Sequence, residues 1–135
     1  GERAALCVER SAVNLRDARI ADNDGATPID APVIAGGPAA YFATLPVKAA
    51  VAALQAAGLP AEASNSAGTF VCNQVFYGLM HLAAAGKHRF RGGFLHVPSV
   101  HKDAAQQSSL SAMALDDIVR GITIVLEVAA SRVMT

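Results

Sequence analysis

The sequence predicts an α/β fold, a mixed or mostly parallel sheet flanked by helices on both faces in a single three-layer domain. Short runs rich in Val and Leu alternate with longer stretches whose apolar residues recur at helical spacing, and Gly or Pro separates them. Such strand–helix alternation is typical of a sheet buried between helices. The chain has 135 residues, and its 53% hydrophobic content is ample for one core.

The first half of the chain is expected to hold two strands, a long loop and a helix. Residues 4–15 indicate one or two extended segments near a core, and residues 17–40, rich in Asp, Gly and Pro, indicate a loop. Loops of that length are usually functional or mobile. Pro46 fits the first turn of a helix that Gly58 ends. The apolar stripe of this helix is Val47, Val51 and Leu54.

The second half continues the alternation. A short strand is predicted at 61–66, a helix at about 70–85, and a strand at 94–97 that Pro98 ends. The helix at 70–85 has apolar residues at Val75, Leu79 and Leu82. The apolar residues of the last predicted helix are Leu110, Met113, Ile118, Ile122, Val125, Leu126 and Ala129.

Composition excludes several classes of partner. Lys plus Arg and Asp plus Glu both total 11, so the net charge is zero and nothing favours nucleic acid or an anionic membrane. The apolar stretches are far shorter than a membrane span. Two cysteines are too few for a disulfide scaffold, which favours a reducing compartment. The first residue is Gly1 rather than Met, so we expect the sequence to begin inside a longer protein or after a removed tag.

Reactive chemistry is expected at Cys72. This residue lies in SNSAGTFVCN, residues 64–73, within the first turn of a predicted helix. Unpaired N–H groups and the positive end of the helix dipole favour the thiolate there, and the thiolate is the nucleophile. The same N–H groups can hold the oxyanion of a tetrahedral intermediate. From position alone, the alternative is a buried core cysteine.

Two further side chains are candidates for the same chemistry. His96 ends a predicted strand, at the edge of a parallel sheet where catalytic groups gather. A neutral imidazole can deprotonate a thiol and then protonate the leaving amine. Glu9 is a carboxylate in an apolar strand and needs a partner. From the residues alone, His96 is equally a structural residue, and Glu9 either pairs with Arg10 or Arg16 or orients an imidazole.

The sequence does not predict a metal site. The spacing of His81, His88, His96 and His101 matches no metal-binding pattern. Residues 22–25, Asp-Asn-Asp-Gly, resemble the start of a calcium loop, but the Gly comes too early.

Several blocks of the sequence resemble the type I pyroglutamyl peptidases, also called pyrrolidone-carboxylate peptidases. VERSAVNLRDARIADN (residues 8–23), SNSAGTFVCN and GGFLHVP (residues 92–98) are similar to the family's three C-terminal signature blocks, and AYFATLP (residues 40–46) is also similar. The blocks occur in the family's order and at matching spacing. The resemblance covers nearly the whole chain and weakens at 101–111, so it is far more specific than one Cys or His.

The resemblance implies a cysteine peptidase that removes N-terminal pyroglutamate through a Cys–His–Glu triad. The family's nucleophile falls on Cys72, its general base on His96 and its orienting carboxylate on Glu9. The residues expected to line the active site and the pyroglutamyl pocket are Arg19, Ile20, Phe70 and Val71. Apolar walls suit a small neutral lactam. The family uses neither a metal nor an organic cofactor, so none is expected here.

The resemblance also implies that residues 1–135 are the C-terminal two-thirds of a single α/β domain. The family's N-terminal region, which carries a GFxPFGG-type loop and helps cover the substrate ring, is absent from this sequence. We therefore expect the 135 residues alone to be aggregation-prone or loosely folded, with no measurable pyroglutamyl peptidase activity. The alternative is a truncated, non-catalytic module that retains only subunit association. Relatives form homotetramers in the cytoplasm, and the same is expected here.

Overall fold

The computed structural model describes residues 3–86, 89–100 and 112–131. The described residues divide into two compact units, the first with residues 3–8, 45–64, 95–100 and 112–131 and the second with residues 9–44, 65–86 and 89–94. The described elements are, in chain order, β1 Leu6–Glu9, β2 Ser11–Val13, β3 Ala40–Phe42, α1 Val47–Ala56, β4 Ala61–Ser64, α2 Val71–Ala85, β5 Leu95–His96, β6 Ser99–Val100, β7 Ala112–Met113 and α3 Leu115–Ser131. This order of strands and helices confirms the α/β class.

A three-stranded sheet with the order β4–β1–β5 forms the centre of the first unit. Strand β1 is buried at every position, as expected for a strand covered on both faces. It runs antiparallel to β5, with Cys7 opposite His96, whereas β6 and β7 are parallel. The sheets are therefore mixed. The buried core of this unit is Leu6, Val8, Ala50, Val51, Leu54, Leu59, Ala61, Met113, Ile118 and Val125.

Helix α1 follows the sequence prediction closely. Pro46 occupies the position before its first residue, with φ of −75°, and the proline ring favours that angle. The helix buries Val51 and Leu54 on its predicted stripe. Gly58 follows with φ of +81°, a left-handed conformation that glycine adopts at low cost. The chain can therefore turn sharply from α1 toward β4.

Helix α3 begins later than the sequence predicts. It starts at Leu115, with Asp116 and Asp117 in its first turn, where negative charge is favourable. Met113 belongs to β7 rather than to the helix, which corrects the predicted boundary, and Leu110 lies outside the described residues. The helix buries Ile118, Gly121 and Val125.

An apolar stripe on α3 remains exposed. Its members have exposed fractions of 40% to 64%, and they are Leu115, Val119, Ile122 and Leu126. Of the apolar residues that the sequence places on this helix, Ile118 and Val125 are buried, whereas Ile122 and Leu126 are exposed. Apolar residues occur around most of the helix, so the spacing alone did not identify the buried face. None of the helices in the described ranges is both long and apolar enough to cross a membrane.

The second unit combines a hairpin-like pair of strands, the long loop and helix α2. Strands β2 and β3 are antiparallel, with Ala12 opposite Tyr41. The predicted loop contains no helix or strand between residues 17 and 39, and an isolated bridge between Arg16 and Ala31 closes part of it. The buried core of this unit is Ala12, Ala67, Phe76, Tyr77 and Met80.

Helix α2 begins and ends as predicted but buries a different face. It starts at Val71, and Gly86 follows its last residue. The buried residues are Asn73, Phe76, Tyr77 and Met80, whereas Val75 and Leu82 are 58% and 65% exposed. The stripe predicted from Val75 and Leu82 is therefore wrong. The two large aromatic rings occupy the core instead, where they remove more apolar area from water.

Two helical glycines provide a matched test of how tightly the core is packed around Gly121. An added Cβ at Gly121 would lie 2.6 Å from Cδ1 of buried Leu6, whereas at Gly78 it would meet nothing within 4 Å. We expect Gly78→Ala to raise the free energy of unfolding by up to ~1 kcal/mol, the gain in helix propensity. Gly121→Ala should be less stable than Gly78→Ala by roughly 1–3 kcal/mol, because overfilling strains a core. Urea denaturation measures both, and equal stabilisation would contradict tight contact at Gly121.

Candidate active site

The thiol of Cys72 lies at the start of helix α2. Cys72 is the second residue of the helix and is half-buried. The residue before the helix, Phe70, makes no side-chain capping bond, and the first turn contains no acidic residue. The first backbone bond of the helix runs from the N–H of Gln74 to the carbonyl of Phe70. The N–H groups of residues 71–73 therefore have no acceptor within the helix, which leaves donors beside the thiol.

The segment 13–17 runs alongside this first turn and is hydrogen-bonded to it. Asn73, which is fully buried, accepts from the N–H of Val13 at 2.9 Å and donates to the carbonyls of Val13 and Leu15 at 2.9 and 3.2 Å. The N–H of Asp17 donates to the carbonyl of Thr69 at 2.9 Å. In return, the Thr69 hydroxyl donates to the carbonyl of Asp17 at 2.9 Å. The first turn of α2 and the start of the long loop are thus joined at two points.

The residues predicted to line the pocket occur on these two joined segments. Phe70 and Val71 immediately precede Cys72, whereas Arg19 and Ile20 follow Asp17 on the loop. Buried Ala18 anchors that part of the loop by donating to the carbonyl of Pro28 at 2.9 Å. Ile20 is 68% exposed and Val71 is 47% exposed, so both apolar side chains are accessible to a ligand.

The candidate orienting carboxylate is buried. Glu9 is the last residue of β1, is 0% exposed, and lies in the second unit with Cys72. Its backbone N–H donates to the carbonyl of Phe94 at 2.9 Å. Of the two arginines considered as partners, Arg16 donates its Nε to the carbonyl of Pro32 at 3.3 Å. The buried Nε of Arg10 has no hydrogen-bond partner within the described ranges.

The candidate general base lies in the first unit. His96 is the last residue of β5 and is half-buried. The prediction placed it at the carboxyl edge of parallel strands, but β5 is antiparallel to β1 and pairs His96 with Cys7. The rule for parallel sheets therefore does not explain its position. His96 does end a strand, as predicted, but that strand is antiparallel to its neighbour.

The second cysteine has the opposite environment from Cys72. Cys7 is 0% exposed, and its Sγ lies 3.4 Å from Oε1 of Glu62. Burial raises the pKa of the Cys7 thiol, and the neighbouring Glu62 carboxylate acts in the same direction. A buried thiol of this kind is a poor nucleophile at neutral pH.

Histidines in the described ranges are not grouped with other metal ligands. Across residues 3–86, 89–100 and 112–131, His, Cys, Asp and Glu side chains form no group of three or more that could hold a metal ion. His81 instead shares a hydrogen bond of 2.8 Å with the Tyr41 hydroxyl through Nδ1. His88 and His101 lie outside the described residues.

Sequence reasoning missed Asn73 and Thr69. Asn73 directly follows Cys72, and its side chain makes three hydrogen bonds to the backbone of Val13 and Leu15. A signal was present, because Asn is a poor helix former that favours bonds to nearby backbone. An Asn on the buried face of a helix therefore indicates a tertiary backbone partner.

Comparison with known proteins confirms the resemblance over nearly the whole chain. The family model described as pyroglutamyl peptidase matches residues 1–132. Pyrrolidone-carboxylate peptidase 1 of Ralstonia nicotianae is 53% identical over 132 residues, which cover 98% of this chain and 61% of the relative. A pyrrolidone-carboxylate peptidase of Bacillus cereus is 49% identical over 128 residues, covering 95% of this chain and 60% of the relative. This chain thus spans about 61% of the length of the curated relatives it matches.

Solved structures agree with the sequence comparison. The crystal structure of pyroglutamyl peptidase I from Bacillus amyloliquefaciens has a TM-score of 0.89 and 41% identity, covering 98% of this chain and 64% of that one. The pyrrolidone carboxyl peptidase of Thermococcus litoralis has a TM-score of 0.86 and 36% identity, covering 96% of this chain and 61% of that one. Because the family model matches residues 1–132 and relatives are half identical, this chain belongs to the pyroglutamyl peptidase family.

Proposed function

We propose that the full-length protein is a cysteine omega-peptidase that hydrolyses N-terminal pyroglutamyl residues from peptides. Residues 1–135 form part of one catalytic α/β domain in this proposal. The observation that carries it is the position of Cys72, a half-buried thiol at the uncapped start of α2 in a chain of the pyroglutamyl peptidase family. That position supplies both a nucleophile and donors for a developing oxyanion.

The proposed reaction has two stages. His96 takes the proton of the Cys72 thiol, and the sulfur attacks the pyroglutamyl carbonyl carbon, forming a C–S bond while negative charge moves to the carbonyl oxygen. N–H groups at the start of α2 stabilise that oxygen. The C–N bond then breaks as His96 donates its proton to the leaving amine. A water molecule, deprotonated by His96, then attacks the acyl carbon and forms a C–O bond. The C–S bond breaks, pyroglutamate leaves, and the proton on His96 returns to the Cys72 sulfur, while Glu9 orients the imidazole throughout.

Recognition of the pyroglutamyl ring is assigned to the segments next to the nucleophile. Phe70, Val71 and Ile20 supply apolar contacts, and Arg19 lies on the same loop. The exposure of Ile20 and Val71 supports this assignment, since apolar side chains that are open to solvent gain most when a ligand covers them. A neutral lactam needs such walls and a few backbone partners rather than a charged clamp.

The two thiols should differ in reactivity. At neutral pH we expect iodoacetamide to alkylate Cys72 at least about tenfold faster than Cys7, because Cys72 is accessible at a helix start whereas Cys7 is buried. Mass mapping of peptides after brief treatment measures both rates. Cys72→Ser is the matched control and should remove the fast-labelled peptide. Equal rates, or faster labelling of Cys7, would contradict the assignment of the nucleophile.

Substitution of His96 should lower kcat more than substitution of Glu9. We expect His96→Ala to lower kcat by about 10²–10⁴-fold, because both proton transfers are lost. Glu9→Gln should give a folded protein with a strongly reduced kcat, though less reduced than in His96→Ala, because the imidazole loses its orienting partner. Turnover of a pyroglutamyl amide reporter by the full-length protein measures kcat.

Two results would argue against this assignment. Wild-type kcat in folded Glu9→Gln would show that Glu9 is a structural carboxylate. A full-length protein without any turnover of the reporter would favour the alternative of a non-catalytic module that retains only subunit association.

We further propose that the protein forms a homo-oligomer, a tetramer by family resemblance, in the cytoplasm. The exposed stripe of α3, defined by Leu115, Val119, Ile122 and Leu126, supports self-association, because contiguous apolar surface often marks an interface. Its spacing of four, three and four residues is that of a helix seam that pairs with another helix. Both cysteines are free thiols, which suits a reducing compartment.

Charge placed on the α3 stripe should dissociate the oligomer. We expect Val119→Glu or Ile122→Glu to lower the solution mass of the full-length protein, because burying an unpaired carboxylate in an interface is costly. Light scattering after size-exclusion chromatography measures the mass. Ile29→Glu is the control, since Ile29 is 77% exposed on the loop of the second unit. An unchanged mass in both stripe variants would place the interface elsewhere.

A further inference from the structure

Asn73 is a buried polar side chain in an apolar neighbourhood. It is 0% exposed and belongs to the same helix face as Phe76, Tyr77 and Met80. Its amide is used at both ends, since the oxygen accepts one backbone N–H and the nitrogen donates to two carbonyls. All three partners lie within residues 13–15. The amide therefore connects one short stretch of chain to the turn that carries Cys72.

Hydrogen bonds are directional, so those of Asn73 determine where the two segments lie relative to each other as well as holding them in contact. An apolar residue in place of Asn73 would tolerate small shifts of the neighbouring strand, because dispersion and burial are not directional. Hydrogen bonds of an amide weaken steeply when their distance or angle changes. Buried polar networks are costly when one partner moves out of reach. The three hydrogen bonds of Asn73 thus fix the register between residues 13–15 and the first turn of α2.

Thr69 repeats the same connection on the other side of the nucleophile. Its hydroxyl and its carbonyl both bond to the backbone of Asp17. Asp17 lies two residues before Arg19, the first of the two loop residues assigned to the pocket. The two connections therefore hold the start of that loop against the segment 69–73 from both ends.

We propose that Asn73, assisted by Thr69, is a positioning residue that sets the distance between the Cys72 thiol and the substrate-binding loop at Arg19 and Ile20. This inference rests on the proposed function, because it assigns Cys72 as nucleophile and the loop as part of the pocket. Asn73 itself does not touch the substrate. It acts by keeping the two parts of the site in one geometry, so its loss affects reactions that need both parts at once.

A comparison of two thiol reagents separates positioning from reactivity. The rate of alkylation by iodoacetamide reports the reactivity of the Cys72 thiolate alone, whose sulfur displaces iodide. A chloromethyl ketone of pyroglutamate reacts by the same displacement, with chloride leaving, but it must also occupy the pocket. We expect Asn73→Asp in the full-length protein to lower the ratio of the ketone rate to the iodoacetamide rate by about ten- to a hundredfold, the cost of misplacing a bound group by about 1 Å. This variant keeps the acceptor oxygen and loses the amide donors.

Asn14 offers a matched control in the same unit. Its amide also makes three bonds to backbone, accepting from the N–H of Ile34 and donating to the carbonyls of Ile34 and Gly37. None of these bonds reaches α2. We expect Asn14→Asp to lower the melting temperature but to keep the reagent ratio within about twofold of the wild type, since its partners lie at the far end of the loop.

Two less disruptive substitutions at Thr69 test the same inference if Asn73→Asp does not fold. Thr69→Val removes one hydroxyl and keeps the shape of the side chain, whereas Thr69→Ser keeps the hydroxyl. Thr69→Val should lower the reagent ratio in the same direction as Asn73→Asp, and Thr69→Ser should recover most of the loss. A reporter substrate adds a second readout, in which the lower kcat/KM of Thr69→Val should also recover in Thr69→Ser.

The outcomes distinguish this inference from the proposed function. If the ketone does not label Cys72 in the wild type, the proposed function itself fails. If the wild type is labelled but Asn73→Asp and Thr69→Val keep its reagent ratio, then the two connections only stabilise the fold and the positioning role is overturned. A ratio that falls in Asn73→Asp and Thr69→Val, yet holds in Asn14→Asp, supports the inference.

Discussion

The demand that buried backbone groups find hydrogen-bond partners determines how the second unit is built. Strand β2 is only three residues long, so its end has few ladder bonds, and Val13 and Leu15 need other partners. The side chain of Asn73 supplies them. A buried amide with every group satisfied is stable only in one arrangement. The start of α2, and with it the position of Cys72, is therefore set by the end of a strand that is distant in sequence.

Backbone groups near the C-terminal end of the long loop also find side-chain hydrogen-bond partners. Asn14 bonds to Ile34 and Gly37, and the Tyr77 hydroxyl donates to the carbonyl of Pro38 at 2.6 Å. An added Cβ at Gly37 would lie 2.5 Å from that hydroxyl oxygen, so only glycine fits beside the ring. The loop is thus fixed near both ends, whereas its middle is open to solvent.

The sequence predicted the elements better than it predicted their buried faces. The start of α2 was predictable because the turn before it and the apolar run after it are both local signals, and Cys72 was placed by them. The buried face of α2 was not predictable, because apolar residues occur on both sides of the helix. Their spacing therefore does not indicate whether Val75 or Phe76 is buried. The choice depends on tertiary contacts with Phe94 and the other residues that pack on this core. The role of Asn73 was hidden for the same reason, since its partners lie sixty residues away.

The two cysteines lie in contrasting environments. Cys7 lies in a fully buried strand beside the Glu62 carboxylate, and both burial and that negative charge oppose ionisation of its thiol. Cys72 lies at a helix start whose N–H groups lack intrahelical acceptors and whose first turn has no acidic residue. Burial outweighs the nearby Arg3 guanidinium, which acts to lower the pKa of Cys7, so the net shift of the Cys7 pKa is upward. Cys7 lies directly opposite His96, but its side chain is fully buried and inaccessible to a substrate, whereas Cys72 is only half-buried.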